Sequence, residues 1–414
     1  MRTKTKTRLD TYSWLILSSV FFIPLQIPLA GITRLAPTDF FILLASLMLL
    51  GRLTVTRRSL LIAPMLFPLV MIYGAMLGGV INGEVLSHAI IVKVIGSVVL
   101  LVSLLNWQQF SREKEHAILQ ATRALLLGSV VFTIIGMVEF FLGINFVTQR
   151  FIESRFAGGY YDPNHYGSLT AVGLVLLAAM GKDLYQSQYT TLVFGGILTI
   201  GLLLSISRGA WIVAVLGLAV VAVMRPIKIR PVWIILSGIL VVAVIFSPIP
   251  EMIIEDIDSR PDNVSHRLIL IQDGLNKVAQ SNYLGIGLSV FLEEHEIIIH
   301  NSAIWMLVEM GALGFLAYLI FIAEPILRIF RIRLKHKANG ARKGDFFSRA
   351  TAGILAAHIV MAIVSFSVEA TYQRQWWLIL AFVIAISVHP SIQSNRVPKR
   401  KKSVTLGGDG AVRK

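Results

Sequence analysis

Twelve apolar runs recur along the chain, centred near Ile16, Leu43, Phe67, Ile95, Phe132, Val172, Ile197, Val215, Val241, Val308, Ala357 and Ala381. Each is of about the length a helix needs to cross a hydrocarbon core of roughly 30 Å. With 55% hydrophobic and only 15% charged residues, the chain has too little polar surface to cover so much apolar side chain in water. The expected architecture is all-α, a polytopic integral membrane protein of about 12 transmembrane helices. Met1 to Arg8 is basic, as in a secretory leader. The run behind it is long and lacks a small-residue exit, so it reads as an uncleaved first span.

The net charge of +15 would suit a nucleic-acid partner, but the distribution of the charge excludes one. When twelve spans are drawn with the amino terminus inside, 29 of the 38 Lys and Arg residues fall on the amino-terminal side. That asymmetry is the positive-inside rule, so both termini are expected in the cytoplasm and the basic charge is a topology signal facing membrane lipids. Cysteine is absent, which removes disulfides, thiolate metal sites and cysteine nucleophiles.

Residues 1–397 read as a single membrane domain, and residues 398–414 as a basic, disordered cytoplasmic tail. The one large connection, residues 250–299, follows the ninth run and is expected as a periplasmic loop. Within it Val264, Leu268, Ile271, Leu275 and Val278 recur every three to four residues, which predicts an amphipathic helix capped by Asp262 or Asn263. A smaller outer loop ends in Asp162-Pro163-Asn164, a turn in which Asn164 is expected to cap the sixth span.

Crossing parity puts Asp162, Arg208, Arg267 and His300 on the same outer side, after five, seven, nine and nine crossings. Arg208 interrupts an apolar stretch as Ser207-Arg208-Gly209. It either snorkels to head groups or forks around an anion that Gly209 lets approach the backbone. Arg267, on a loop helix, is either a solvated charge or a similar anion clamp. His300, beside Asn301 at the mouth of the tenth span, is either a polar lead-in or a general base for a hydroxyl. Glu309 cannot orient it, because nine helical residues rotate by about 900° and leave the two on opposite faces.

Other charged positions have plainer readings. Lys93 and Glu139 lie at similar depth, so an intramembrane ion pair is expected. His358 reads as hydrogen-bonded packing, and Trp376 and Trp377 as an interfacial belt. Glu293, Glu294 and Glu296 read as a solvated face, and no spacing supports a metal site.

The order of these pieces resembles the O-antigen ligase and polymerase superfamily of bacterial surface-polysaccharide enzymes. The resemblance rests on Tyr161-Asp162-Pro163-Asn164 and Ser205-Ile206-Ser207-Arg208-Gly209-Ala210. It continues with Arg267 followed by Asn282-Tyr283-Leu284-Gly285-Ile286-Gly287 and Phe291, then His300-Asn301 with Gly311 and Gly314. It implies a membrane-helical glycosyltransferase that is inverting, independent of metal and without cofactor, located in the inner membrane with a periplasmic active site. The implied donor is a glycan on undecaprenyl diphosphate. Arg208 and Arg267 would hold the diphosphate, and His300 with Arg267 would carry the chemistry, supported by Asp162, Asn164 and Asn301. The implied acceptor is lipid A-core or another glycan, as in lipopolysaccharide or exopolysaccharide assembly.

A polymerase acting on lipid-linked repeat units shares all of these motifs, while the span count and loop position favour the ligase arrangement. A transporter of lipid-linked glycans would also need an arginine-lined cavity. It would be expected to show paired halves and helices broken at mid-membrane.

Overall fold

A computed structural model describes residues 10–29, 33–49, 61–82, 87–113, 116–144, 151–152, 155–160, 162–224, 263–297, 299–339 and 344–388. The helices in these segments are α1 (Thr11–Phe21), α2 (Pro37–Leu49), α3 (Ile62–Asn82), α4 (His88–Glu113), α5 (Ala117–Leu142), α6 (Pro163–Leu184), α7 (Gln188–Leu204), α8 (Arg208–Met224), α9 (Asn263–Gln280), α10 (Val290–His295), α11 (Ser302–Ala338), α12 (Phe346–Val364) and α13 (Arg374–Ser387). Two antiparallel pairs join them, β1 (Ile27–Leu29) with β2 (Thr33–Leu35) and β3 (Phe151–Ile152) with β4 (Arg155–Phe156).

Eleven of the twelve expected run centres lie in helices; the run around Val241 lies outside the described residues, as do Asp262 and the tail 398–414. The chain is an all-α polytopic membrane protein in which six described helices, α3 to α6, α11 and α12, are long and apolar enough to cross a membrane. The apolar helices α1, α2, α7, α8 and α13 are shorter, at 10–17 residues.

α6 is the central post, packed against α5, α7, α8 and α12, and most of its residues are buried. Small residues permit the close approaches. A Cβ on Gly128 of α5 would overlap the Phe21 carbonyl, and one on Gly167 of α6 would stand 2.7 Å from the Ala210 Cβ. α11 packs along α3 and is broken at Gly311, whose φ of 64° belongs to the left-handed region that favours glycine.

That break is filled by the chain itself. Ile286 and Gly287 donate their amides to the Val308 and Glu309 carbonyls (both 2.9 Å), and Ala312 donates to Tyr283 O (2.8 Å). The glycines of the Tyr283-to-Gly287 segment thus let a non-helical backbone supply the hydrogen bonds that Gly311 interrupts, as buried irregular backbone requires. A Cβ on Gly285 or Gly311 would lie within 2.5 Å of the facing strand of backbone. The helix is broken within its length, and the polar groups at the break are spent on the protein's own backbone.

Several plain readings change here. Lys93 pairs with Glu309 (3.6 Å) and lies over the Trp305 ring, so its partner comes from α11 and not from Glu139, which is itself buried. Trp376 and Trp377 form no interfacial belt. Both are fully buried, their indole N–H groups donating to His358 Nδ1 (3.0 Å) and Thr371 O (2.8 Å). His358 is buried packing, as read. An indole donor on Nδ1 leaves Nε2 to donate to Ile322 O (3.0 Å), which defines the tautomer. On α9 the buried face is Leu270, Gly274 and Val278, while Leu268 and Leu275 of the expected stripe are exposed.

Candidate functional site

The helices gather their hydrogen-bonded turns at two ends. One end collects the start of α6, the α7–α8 turn, the start of α11, the turn after α12 and the beginning of α9. The other collects the start of α5 and the ends of α6, α8 and α11, with the start of α12. All four residues assigned by parity to one side fall in the segments of the first end.

Asp162 caps α6. Its extended backbone and Pro163 at the first helical position start the helix, and its Oδ1 accepts the amides of Asn164 (2.6 Å) and His165 (3.4 Å). The cap is therefore Asp162, two residues before the expected Asn164, because its carboxylate reaches the free N–H groups. Burial pushes the Asp162 carboxyl up. His165, the two capping amides and Arg155 outweigh it and hold the group below its ordinary value.

Freed from capping, Asn164 turns its Oδ1 to Arg155 Nη2 (2.7 Å) and Ser207 Oγ (3.0 Å). Arg155, only 9% exposed, also donates from Nε to the Ser205 carbonyl (3.1 Å). These bonds brace a strained turn. Ile206 has φ 45°, a conformation that costs a β-branched residue roughly 1–3 kcal/mol. The turn ends at Arg208, which is exposed at the first position of α8, where the helix dipole adds to its positive charge.

Arg267, in the first turns of α9, is half-buried. Its Nη1 donates to Ser367 O over 3.4 Å, a weak bond for a guanidinium. Burial lowers its affinity for the proton, Asp162 raises it and Arg208 lowers it again, so all three groups lie within electrostatic reach. Ser367 also faces α8, its Oγ 3.3 Å from where a Cβ on Gly209 would stand. The open Gly209 position expected from the motif is thus bounded by the turn after α12.

His300, half-exposed, immediately precedes Asn301, which caps α11 by accepting the Ile304 amide (3.1 Å). The next residue ties this corner to the arginines. Ser302 is fully buried; its amide donates to Ser365 O (2.7 Å), its Oγ donates to Val368 O (3.0 Å), and that Oγ accepts from Ala370 N (2.9 Å). The 365–370 turn that contacts Arg267 and Gly209 is therefore the one that holds the segment carrying His300. Glu309 is spent elsewhere, on Lys93 and on the Ser289 amide (2.9 Å), in keeping with its opposite face.

The structure brings Asp162, Asn164, Arg208 and Arg267 together and ties the His300-Asn301 corner to them through Ser302. Among the described residues, no ion pair engages Arg208 or Arg267, and no cluster of three His, Asp or Glu residues forms a metal set. Sequence reasoning missed Arg155, Ser207, Ser302 and Ser367. Arg155 carried no signal beyond being a loop arginine, whereas Ser207 stands inside the quoted motif. Chemically, two cations with hydroxyl and amide neighbours suit an anion bearing several oxygens.

Fold and site together define a helical membrane protein with an arginine-bearing corner at one end. Residues 193–319 match the family model described as O-antigen ligase, which supports a place in the O-antigen ligase and polymerase superfamily. No curated protein matches the chain. The matched segment contains Arg208, Arg267 and His300. The family match supports a glycosyltransferase-like enzyme of ligase or polymerase type in the bacterial inner membrane, with a lipid-linked glycan and a glycan acceptor as its general partners.

Proposed function

We propose that the protein transfers a glycan from undecaprenyl diphosphate to an acceptor hydroxyl at the periplasmic face of the inner membrane, as an O-antigen ligase with lipid A-core or a similar glycan as acceptor. The observation that carries this reading is the convergence of Arg208 and Arg267 beside Asp162, at the end of the bundle remote from the basic Arg328-to-Arg349 region.

In this mechanism Arg208 and Arg267 bind the donor's diphosphate oxygens. His300 accepts the proton of the acceptor hydroxyl as its oxygen bonds to the anomeric carbon. The bond from that carbon to the phosphate oxygen breaks, and its electron pair leaves with undecaprenyl diphosphate. One displacement inverts the anomeric centre. Diphosphate is already a good leaving group, so two guanidinium charges on it supply the electrostatic stabilisation without a metal ion. What remains is a positioned acceptor and a base. Asp162 balances the local positive charge, Asn164 holds the α7–α8 turn, and Asn301 fixes the first turn of α11.

The test is transfer by the purified protein in vesicles containing undecaprenyl-diphosphate glycan and acceptor, with a chelator and without nucleotide. Transfer that disappears in His300→Ala and Arg267→Ala supports the reading; full transfer in both variants overturns it. A gel of surface polysaccharide from a deletion strain separates ligase from polymerase. Full-length glycan left on undecaprenyl diphosphate indicates a ligase, whereas acceptor carrying a single repeat unit indicates a polymerase.

A further inference from the structure

We propose that Arg155 is a positioning residue that holds the Ser205–Ser207 turn in the shape that presents Arg208 to the donor diphosphate. The inference rests on the reading of Arg208 as a diphosphate ligand and adds a third arginine, outside the segment that matches the family, to the same site.

The bonding pattern distinguishes Arg155 from the other two arginines. Its Nε and Nη2 engage two oxygens on different elements, the Ser205 carbonyl that ends α7 and the Asn164 side chain at the start of α6. Asn164 passes the restraint on, because the same Oδ1 accepts from Ser207, the residue immediately before Arg208. Between the two anchored serines lies Ile206, in a left-handed conformation that a β-branched residue keeps only when its surroundings impose it. Gly167 gives the turn room to seat against α6, since a Cβ there would stand 3.0 Å from Ser205 Oγ.

An arginine suits this task because a planar fork reaches two acceptors at a fixed angle, whereas an ammonium offers a point charge on a flexible stem. Burial turns Arg155 towards the protein, while Arg208 at the end of the turn is exposed to a ligand. Asp162 supplies the nearby negative charge that makes a buried guanidinium tolerable.

If Arg155 acts only through Arg208, the two substitutions are non-additive. The experiment uses the full-length protein in vesicles with undecaprenyl-diphosphate glycan and acceptor. It measures kcat and donor KM for Arg155→Ala, Arg155→Lys, Arg208→Ala and the Arg155→Ala/Arg208→Ala double variant. Arg155→Ala is expected to raise donor KM by roughly tenfold, the scale of one misplaced charged hydrogen bond, with a smaller change in kcat. Arg155→Lys is expected not to restore it. In the Arg208→Ala background, removing Arg155 is expected to add nothing.

Multiplicative effects of the two substitutions, or an unchanged donor KM in Arg155→Ala, would overturn the proposal. If Arg155→Ala does not fold, Ser207→Ala removes the bond to Asn164, and with it the 3.4 Å acceptor of the Ala210 amide, while keeping the charges. It is expected to raise donor KM in the wild-type background only, and an unchanged KM there overturns the proposal equally. Should Arg208→Ala itself leave donor KM unchanged, the diphosphate reading fails and this proposal with it. If Arg208→Ala raises KM while Arg155→Ala and Ser207→Ala do not, only the positioning role fails.

Discussion

Both ends of the helix bundle are rich in arginine, and Arg208 and Arg267 at one end are held differently from the arginines at the other, while Arg155 and Arg374 beside them are matched by protein acceptors. At the end built from the termini of α6, α8 and α11, cations are matched. Arg349 forks onto Asp183, and Arg333 donates to Ser348 O (3.1 Å) and Thr351 Oγ1 (2.8 Å). At the other end Arg208 is exposed and Arg267, among the described residues, donates a long bond to a carbonyl, with Asp162 as the nearby carboxylate. Matched cations hold the helix ends to one another. Cations left with spare donors, Arg208 on a turn braced by a third arginine and Arg267 on α9, are arranged for an anion that arrives from outside the chain.

Substitutions at the two ends separate these uses. The largest effect is expected for His300→Ala, a loss of transfer of about 10²–10⁴-fold, the usual contribution of a positioned general base, in protein that elutes and melts like the wild type. Arg208→Lys follows, with a roughly tenfold or greater rise in donor KM, because an ammonium keeps the charge and loses the fork. If lysine serves equally well, Arg208 is a point charge or a head-group anchor, and the contrast between the ends weakens.

At the matched end, Asp183→Ala is expected to lower stability by about 1–2 kcal/mol by stranding Arg349, read as a lower melting midpoint. Transfer per folded molecule should be unchanged. A loss of transfer without a loss of stability would show that this end also takes part in the reaction.

The smallest effect concerns pH. Asp162 is held below its ordinary value in the folded protein, so its charge contributes stability that is complete above the unfolded carboxylate value near 3.8 and is lost as pH falls through the lower folded value. In wild-type protein the melting midpoint should therefore fall with pH in that acid range, and Asp162→Asn should remove that part of the slope.

Helix positions were legible because apolar runs of span length have few alternatives, and counting crossings grouped Asp162, Arg208, Arg267 and His300, whose segments the structure has at one end of the bundle. Partnerships across the bundle were not. Lys93 and Glu139 share a depth, but helix rotation decides which carboxylate a lysine meets, and it meets Glu309. The exchange of cap between Asn164 and Asp162 turned on which oxygen reaches two amides, a matter of backbone angles that residue type does not settle. Arg155 was invisible for a related reason. Its role depends on Ser205, fifty positions away, being brought to it by α6 and α7. The meshing of Tyr283-to-Gly287 with Gly311 explains glycines that the motif contained without a stated purpose.

The central claim is that Arg208 and Arg267 bind one diphosphate. Its most direct test is binding of undecaprenyl diphosphate, without glycan or acceptor, to the purified wild type and to Arg208→Ala, Arg267→Ala and Arg349→Ala. The account predicts a large loss of affinity in the first two variants and wild-type binding in the third. Equal binding by all four proteins would contradict it.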